Sequence, residues 1–207
     1  MATTGDRLAL AWFSRTGHGG GQGHYRWAVK TASDPAASQI PADSPTATTI
    51  AALIQEQVPD ALVGAGETPP GPDRQPGVES TLYSLDVWLV RCHPETDGDY
   101  HLVLSDGAGN TMIGEIPDPG RVDATSPFFA QIQNARAAFE ARFPQMTSLA
   151  QVSVPEGSAR PGLAEINEQV QLSGIGFFDF VHGQDGVAQN GIELHPVIDI
   201  EFPASGQ

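Results

Sequence analysis

The chain of 207 residues holds one lysine, Lys30, and one cysteine, Cys92. A single cysteine excludes an intramolecular disulfide and any cluster of thiolate metal ligands. Bases of either kind are scarce, 10 against 25 acids, for a formal net charge of -15. A broad nucleic-acid footprint needs clustered Lys and Arg, so no nucleic-acid partner is expected. Binding to anionic membranes is disfavoured for the same reason, while cations and basic partners are attracted. Long apolar runs are also missing. No stretch approaches the roughly 18 residues of a membrane helix, and no membrane insertion is expected. The first residues, Met1 to Arg7, show no basic segment leading into an apolar one, so no export signal is evident in the sequence. Several catalytic signatures are absent: a Gly-x-Ser-x-Gly elbow, a phosphate-binding loop, a dinucleotide fingerprint and His-Glu-x-x-His.

Enough apolar residues remain, 40%, to pack a core. The chain divides into an N-terminal arm, residues 1–79, and a more regular part, residues 80–207. In the arm, Leu8 to Phe13 and Tyr25 to Thr31 read as extended segments, and Gly17 to His24 as flexible. Thr46 to Thr49 places a capping residue before the apolar turn Ile50 to Ile54. Thr68 to Gly77 carries four prolines and two glycines and reads as a linker or surface loop.

From residue 81 the pattern sharpens. Residues 81–91 alternate as a long strand, with Leu82, Leu85, Val87 and Leu89 on one face and a bulge expected near Ser84. Residues 100–105 and 111–116 form two further strands around the turn Asp106 to Asn110. Ser126 and Pro127 open a helix as cap and first residue, with Phe128, Ile132, Ala135, Phe139 and Phe143 along its buried face. A fourth strand spans 170–181 and a fifth 192–202, where Pro196 marks an edge or a bulge. Three strands, one helix and two strands is the order of an OB-fold: a five-stranded Greek-key barrel with its helix between strands three and four, wrapped here by an irregular N-terminal arm. A generic α+β sheet with one covering helix is the alternative.

On the OB reading, two polar loops face each other across the barrel mouth: His93 to Asp99 and His182 to Gly191. Strand parity puts His101 with Val103, and Glu193 with His195 and Val197. Asp97, Asp99, His101, Glu115, His182, Gln184 and Asn190 are the candidate ligand-binding residues. Glu115, His182, Glu193 and His195 are the candidate metal ligands, because imidazole with carboxylate suits zinc or another first-row ion. Blander readings exist for each. His101 can hydrogen-bond across the sheet, His182 can end its strand, Gln184 and Asn190 can shape their loop, and Glu193 with His195 can be a structural pair. Cys92 and His93 are neighbours on opposite strand faces, a poor catalytic dyad.

Three strings carry a resemblance: Asp97 to Leu104 (DGDYHLVL), Met112 to Pro119 (MIGEIPDP), and Gly176 to Phe180 with the run on to Pro196. Together with Val29 to Thr31 and Thr46 to Thr49, they resemble a widespread bacterial family of unassigned function, many of whose members are exported. The resemblance covers most of the chain and implies an extracytoplasmic location. A fainter similarity, to the staphylococcal-nuclease type of OB-fold, rests on Asp97-Gly98-Asp99 and Asp118-Pro119. The acid that follows there is replaced here by Gly120, and nothing fixes the direction of Arg121. Three functions are therefore expected. The first is an exported module binding a small ligand, glycan or divalent cation between the two polar loops. The second is a metal-dependent hydrolase of the phosphodiesterase kind, and the third a structural subunit that self-associates.

Overall fold

The computed structural model describes residues 26–60, 62, 73–150, 164–181 and 183–203. The extended segment expected at 8–13, the glycine-rich stretch with His18 and His24, residues 68–72 of the proline-rich stretch, and His182 lie outside the described residues. Within them the protein is mainly β. Its strands are β1 (Thr46–Ala47), β2 (Leu82–Pro94), β3 (Tyr100–Ser105), β4 (Thr111–Ile116), β5 (Ala164–Phe178) and β6 (Ile192–Glu201). The helices are α1 (Trp27–Lys30), α2 (Ile50–Leu53), α3 (Phe129–Arg142) and α4 (Pro144–Ala150). No helix among the described residues is long and apolar enough to cross a membrane.

The six strands form one sheet in the order β1-β2-β3-β4-β6-β5, and an antiparallel pairing between β5 and β2 closes β2 to β6 into a ring. The β4–β6 and β1–β2 pairs are parallel and the others antiparallel. The 13-residue β2 makes closure feasible: β5 pairs along one edge from Leu82 to Cys92, while β3 takes Trp88 to Pro94 on the other.

Alternation decides which side chains meet inside. Tyr83, Leu85, Val87 and Leu89 of β2 join Leu102, Leu104, Met112, Leu172 and Leu194 in the main core. The expected bulge at Ser84 is therefore not needed, because Tyr83 and not Leu82 points in with Leu85. The bulge falls between Leu89 and Arg91 instead, and it brings Cys92 back into the same core. Leu82 turns outward into a second cluster with Ile175, Ile198, Phe128 and Ile132, which the segment around Ala32, Ala37 and Ile40 covers.

The helix between β4 and β5 packs on β6 and buries Ile132, Ala135 and Phe139, as the spacing predicted. It begins at Phe129; the Ser126 hydroxyl accepts the Phe128 amide at 3.3 Å while it donates to the Ala32 carbonyl at 2.8 Å. Thr49 caps α2 as expected, accepting from the Ala52 amide. The extended segment expected at 25–31 is instead the helical turn α1 within the described residues. A strand would separate residues 26 and 30 by about 13 Å. The turn brings Arg26 and Lys30 over the same Phe177 ring, at 4.9 and 5.4 Å from its centroid. Pro196 produces a bulge and not an edge: Gly174 pairs with Val197 and Gly176 with Leu194, so β6 carries one extra residue there. Gly174 permits it, since a Cβ would come within 2.9 Å of Leu194 and of the Pro196 carbonyl.

Candidate metal centre

Cross-strand register builds the site. His93 of β2 pairs with His101 of β3, and His101 pairs with Glu115 of β4. The parallel pairs Ile113 with Glu193 and Gly114 with Leu194 carry the row on to His195 of β6. Leu102, Leu104, Met112 and Leu194 belong to the main core, so His101, Glu115, Glu193 and His195 share the opposite, outer face. That face is covered. His101, Glu193 and His195 are buried, and Glu115 is nearly so. The β5–β6 connection folds over it, held by Arg91, which makes a two-pronged contact with Asp185 at 2.7 Å on each prong. Gly186, at φ 78°, lies so close that a Cβ would come within 2.5 Å of Val103.

Glu115 is the hub. One carboxylate oxygen lies 3.3 Å from His101 Nδ1, the other 3.0 Å from His195 Nδ1. His195 Nδ1 is also 3.1 Å from Glu193. Its other nitrogen, Nε2, faces Asp99 Oδ2 at 3.4 Å, too misaligned for a hydrogen bond. Asp99 is fully buried at the start of β3, with Oδ1 accepting the Asp118 amide at 2.8 Å. Arg136 of α3 donates to the Gly98 carbonyl at 2.9 Å and holds this loop in place. On the other flank His93 stacks on His101, centroids 4.5 Å apart, and its Nε2 is 2.8 Å from Glu95. The Asp185 carbonyl, 2.9 Å from His101 Nε2, can only accept, so that nitrogen carries a proton and Nδ1 turns to the carboxylates.

Two triplets thus have donor atoms within 4.8 Å of one another: His93, Glu95 and His101, and Asp99, Glu115 and His195. Four buried side-chain polar atoms among the described residues lack a hydrogen-bond partner, and three are here: His93 Nδ1, Asp99 Oδ2 and His195 Nε2. Orphaned buried groups are uncommon and call for an explanation such as a bound ion.

The electrostatics agree with a cluster short of positive charge. Burial would lower His195, but Glu115, Asp99 and Glu193 hold it well above the ordinary imidazole value. His101 is pushed up to about 9, burial being outweighed by its bond to Glu115 and by that carboxylate's charge. Burial, Asp179 and Glu115 push Glu193 up to about 7. Burial and the charges of Asp99 and Glu115 push Asp97 up to about 6. Glu115 stays well below the usual carboxylate range, because His195 and His101 outweigh its burial. Lys30 is raised: Glu193 and Asp179 overcome its desolvation, and its ammonium lies 2.6 Å from Asp179.

Of the residues singled out in the sequence, Asp99, His101, Glu115, Glu193 and His195 come together here. Asp97 stands beside them, its carboxylate accepting the Asp99 amide. Gln184 and Asn190 serve the loop: Gln184 donates to the Phe180 carbonyl, and Asn190 to the carbonyls of Leu53 and Glu56. His93, Glu95, Lys30 and Asp179 were missing from the candidate set. His93 was within reach of parity, since its neighbour Cys92 is core. Lys30 carried one signal, a lone lysine beside apolar Trp27, Ala28 and Val29. No protein-family model matches the chain, and no curated protein matches it in sequence.

Proposed function

We propose that the protein is a binding module of the OB type whose ligand is a divalent first-row cation, held by Asp99, Glu115 and His195. The strand order β2-β3-β4-β6-β5, the parallel β4–β6 pair and the helix between β4 and β5 support the OB reading. In that fold, ligands sit where the β2–β3 and β5–β6 connections meet, which is where these residues lie.

One observation carries the reading. Asp99 Oδ2 and His195 Nε2 are buried, make no well-aligned hydrogen bond and face each other as an ion pair 3.4 Å apart. Donors bound to one ion at about 2.0–2.2 Å lie about 3 Å apart, so this pair is already spaced to chelate. The other side of each residue is held as metal ligands usually are: His195 Nδ1 by Glu193, Asp99 Oδ1 by the Asp118 amide. One imidazole with two carboxylates suits zinc or manganese better than calcium or magnesium. The chain's charge of -15 raises the local concentration of any cation.

Calorimetric titration of chelator-treated protein with Zn²⁺, Mn²⁺, Ca²⁺ and Mg²⁺ tests this. The expected result is saturable binding of zinc or manganese that Asp99→Asn and His195→Gln each weaken about tenfold or more. Absence of binding at millimolar ion, or binding indifferent to both substitutions, would overturn the reading.

A further inference from the structure

We propose that the centre is dinuclear: His93, Glu95 and His101 hold a second ion, and the Glu115 carboxylate bridges it to the ion at Asp99 and His195. This deepens the cation-binding reading above and rests on it.

Four features support the second position. Its three donors lie within 4.8 Å of one another, as in the first triplet. His93 turns Nε2 to Glu95 at 2.8 Å, and the same Glu95 oxygen lies 3.7 Å from His101 Nδ1. Glu115 lies between the two triplets, Oε1 3.3 Å from His101 Nδ1 and Oε2 3.0 Å from His195 Nδ1. Such a carboxylate spans two ions when they sit about 3.5–4 Å apart, the usual two-metal separation. His101 is oriented from behind, its Nε2 bonded to the Asp185 carbonyl, so Nδ1 is the nitrogen left to face an ion.

Charge points the same way. Glu95, Asp97, Asp99, Glu115 and Glu193 converge, while the one fixed cation among them, Lys30, is already paired with Asp179. Two divalent ions bring four positive charges to five carboxylates, replacing the protons that His101 and His195 otherwise hold there.

The two positions also differ in access. Asp99 and His195 are fully buried, so the inner position is shielded from solvent. Glu95 and His93 keep side-chain exposures of 36% and 20%, so the outer ion retains water and open coordination positions.

The experiment is metal counting. Chelator-treated protein is loaded with Mn²⁺ or Zn²⁺ and gel-filtered, and bound metal is measured by elemental analysis. Electron paramagnetic resonance of the manganese form is recorded alongside. The expected result is two ions per chain and a spin-coupled signal. In His93→Ala and in Glu95→Gln the count halves to one and the signal becomes that of isolated Mn²⁺. His93→Ala, Glu95→Gln and wild type are compared by circular dichroism, so that loss of metal through unfolding is recognised. The halved count is read on whichever of His93→Ala and Glu95→Gln keeps the wild-type spectrum. One ion per chain in the wild type overturns the dinuclear proposal and leaves the cation-binding reading standing. Two ions that persist in both outer variants, or that give no coupling, also overturn it. No bound ion overturns both.

Discussion

Removing the Glu79 carboxylate isolates what the N-terminal segment contributes to the molecule. Glu79 is fully buried. Its carboxylate accepts from both terminal nitrogens of Arg26, from the Gln75 amide at 2.7 Å and from the Phe178 amide at 3.2 Å. The Arg26 side chain is buried too, at 1% exposure. Glu79→Ala therefore strands a guanidinium and two amides at once. Stripping one partner from a buried pair costs about 3–5 kcal/mol. The amides cost about 1–3 kcal/mol each if they stay dry, and water admitted to the vacated space recovers part of that. A loss of about 4–6 kcal/mol is expected. That is a large share of the roughly 5–15 kcal/mol available to a folded domain. At about 2–4 °C per kcal/mol for a chain of this size, Tm falls by about 8–24 °C.

The assay is urea unfolding of metal-free protein, followed by far-ultraviolet circular dichroism, for Glu79→Ala, Arg26→Met and the double variant Arg26→Met/Glu79→Leu. The double variant removes both charges and refills the space, so it should be more stable than Glu79→Ala. A loss below about 1 kcal/mol in Glu79→Ala, or a double variant as unstable as the two singles summed, would refute the reasoning. The same variant has a functional readout. Arg26 and Lys30 lie over Phe177, whose ring sits 6.0 Å edge-on from His195, so loosening α1 is expected to weaken cation binding as well.

Burial pushes the Cys92 thiol up to about 12, so at pH 8 roughly one molecule in ten thousand carries a thiolate. Alkylation or Ellman reaction should be negligible until denaturant is added; labelling at the rate of a free thiol would contradict the burial of Cys92. In metal-free protein, stability should fall as pH rises from about 6.5 to 9. His101, raised from 6.5 to about 9, contributes fully below its ordinary value and loses that contribution as pH passes 9. Glu193, raised to about 7, acts in the same direction. Glu115 and Glu95, both lowered, contribute above the usual carboxylate range and lose that only in acid, so they do not oppose the trend in this window. His101 alone corresponds to about 3 kcal/mol. A Tm that stays flat or rises over this window in the presence of chelator would count against the charge cluster as described.

The hairpin from Tyr100 to Ile116 was legible to the residue because alternation, a five-residue turn and β-branched strands all agreed there. Legibility failed where one signal had to be weighed against another. In β2 the sequence places Leu82 and Tyr83 side by side, and hydrophobicity alone favours Leu82 as the inward residue. The core takes Tyr83, and the bulge moves from Ser84 to beyond Leu89. In β6, parity holds through His195 and then breaks. The extra residue at Pro196 sends Val197 into the core with Leu194, not onto the face of Glu193 and His195 where strict alternation places it. The helix α4 and the short parallel strand β1 carry no periodic pattern long enough to announce them.

The candidate site divides the same way. Its strand residues follow from parity plus register, so His101, Glu115, Glu193 and His195 could be named before any coordinates. What closes the site comes from outside that logic. Lys30 arrives on a four-residue helix from the N-terminal segment with Arg26 just before it, Asp99 reaches in from a loop, and Asp185 folds over from another. The sequence-level alternatives for this face were a structural Glu193–His195 pair and a ligand site. The geometry changes how they compare. A purely structural network is expected to satisfy its buried donors and acceptors, because a half-satisfied one costs more than an apolar replacement. Here Glu193 and Asp99 Oδ1 are satisfied, while Asp99 Oδ2 and His195 Nε2, left without hydrogen bonds, have the chemistry to hold a metal. Completed hydrogen bonds around uncompleted ligand atoms are what the proposed cation site would require, and they favour that reading over a purely structural pair.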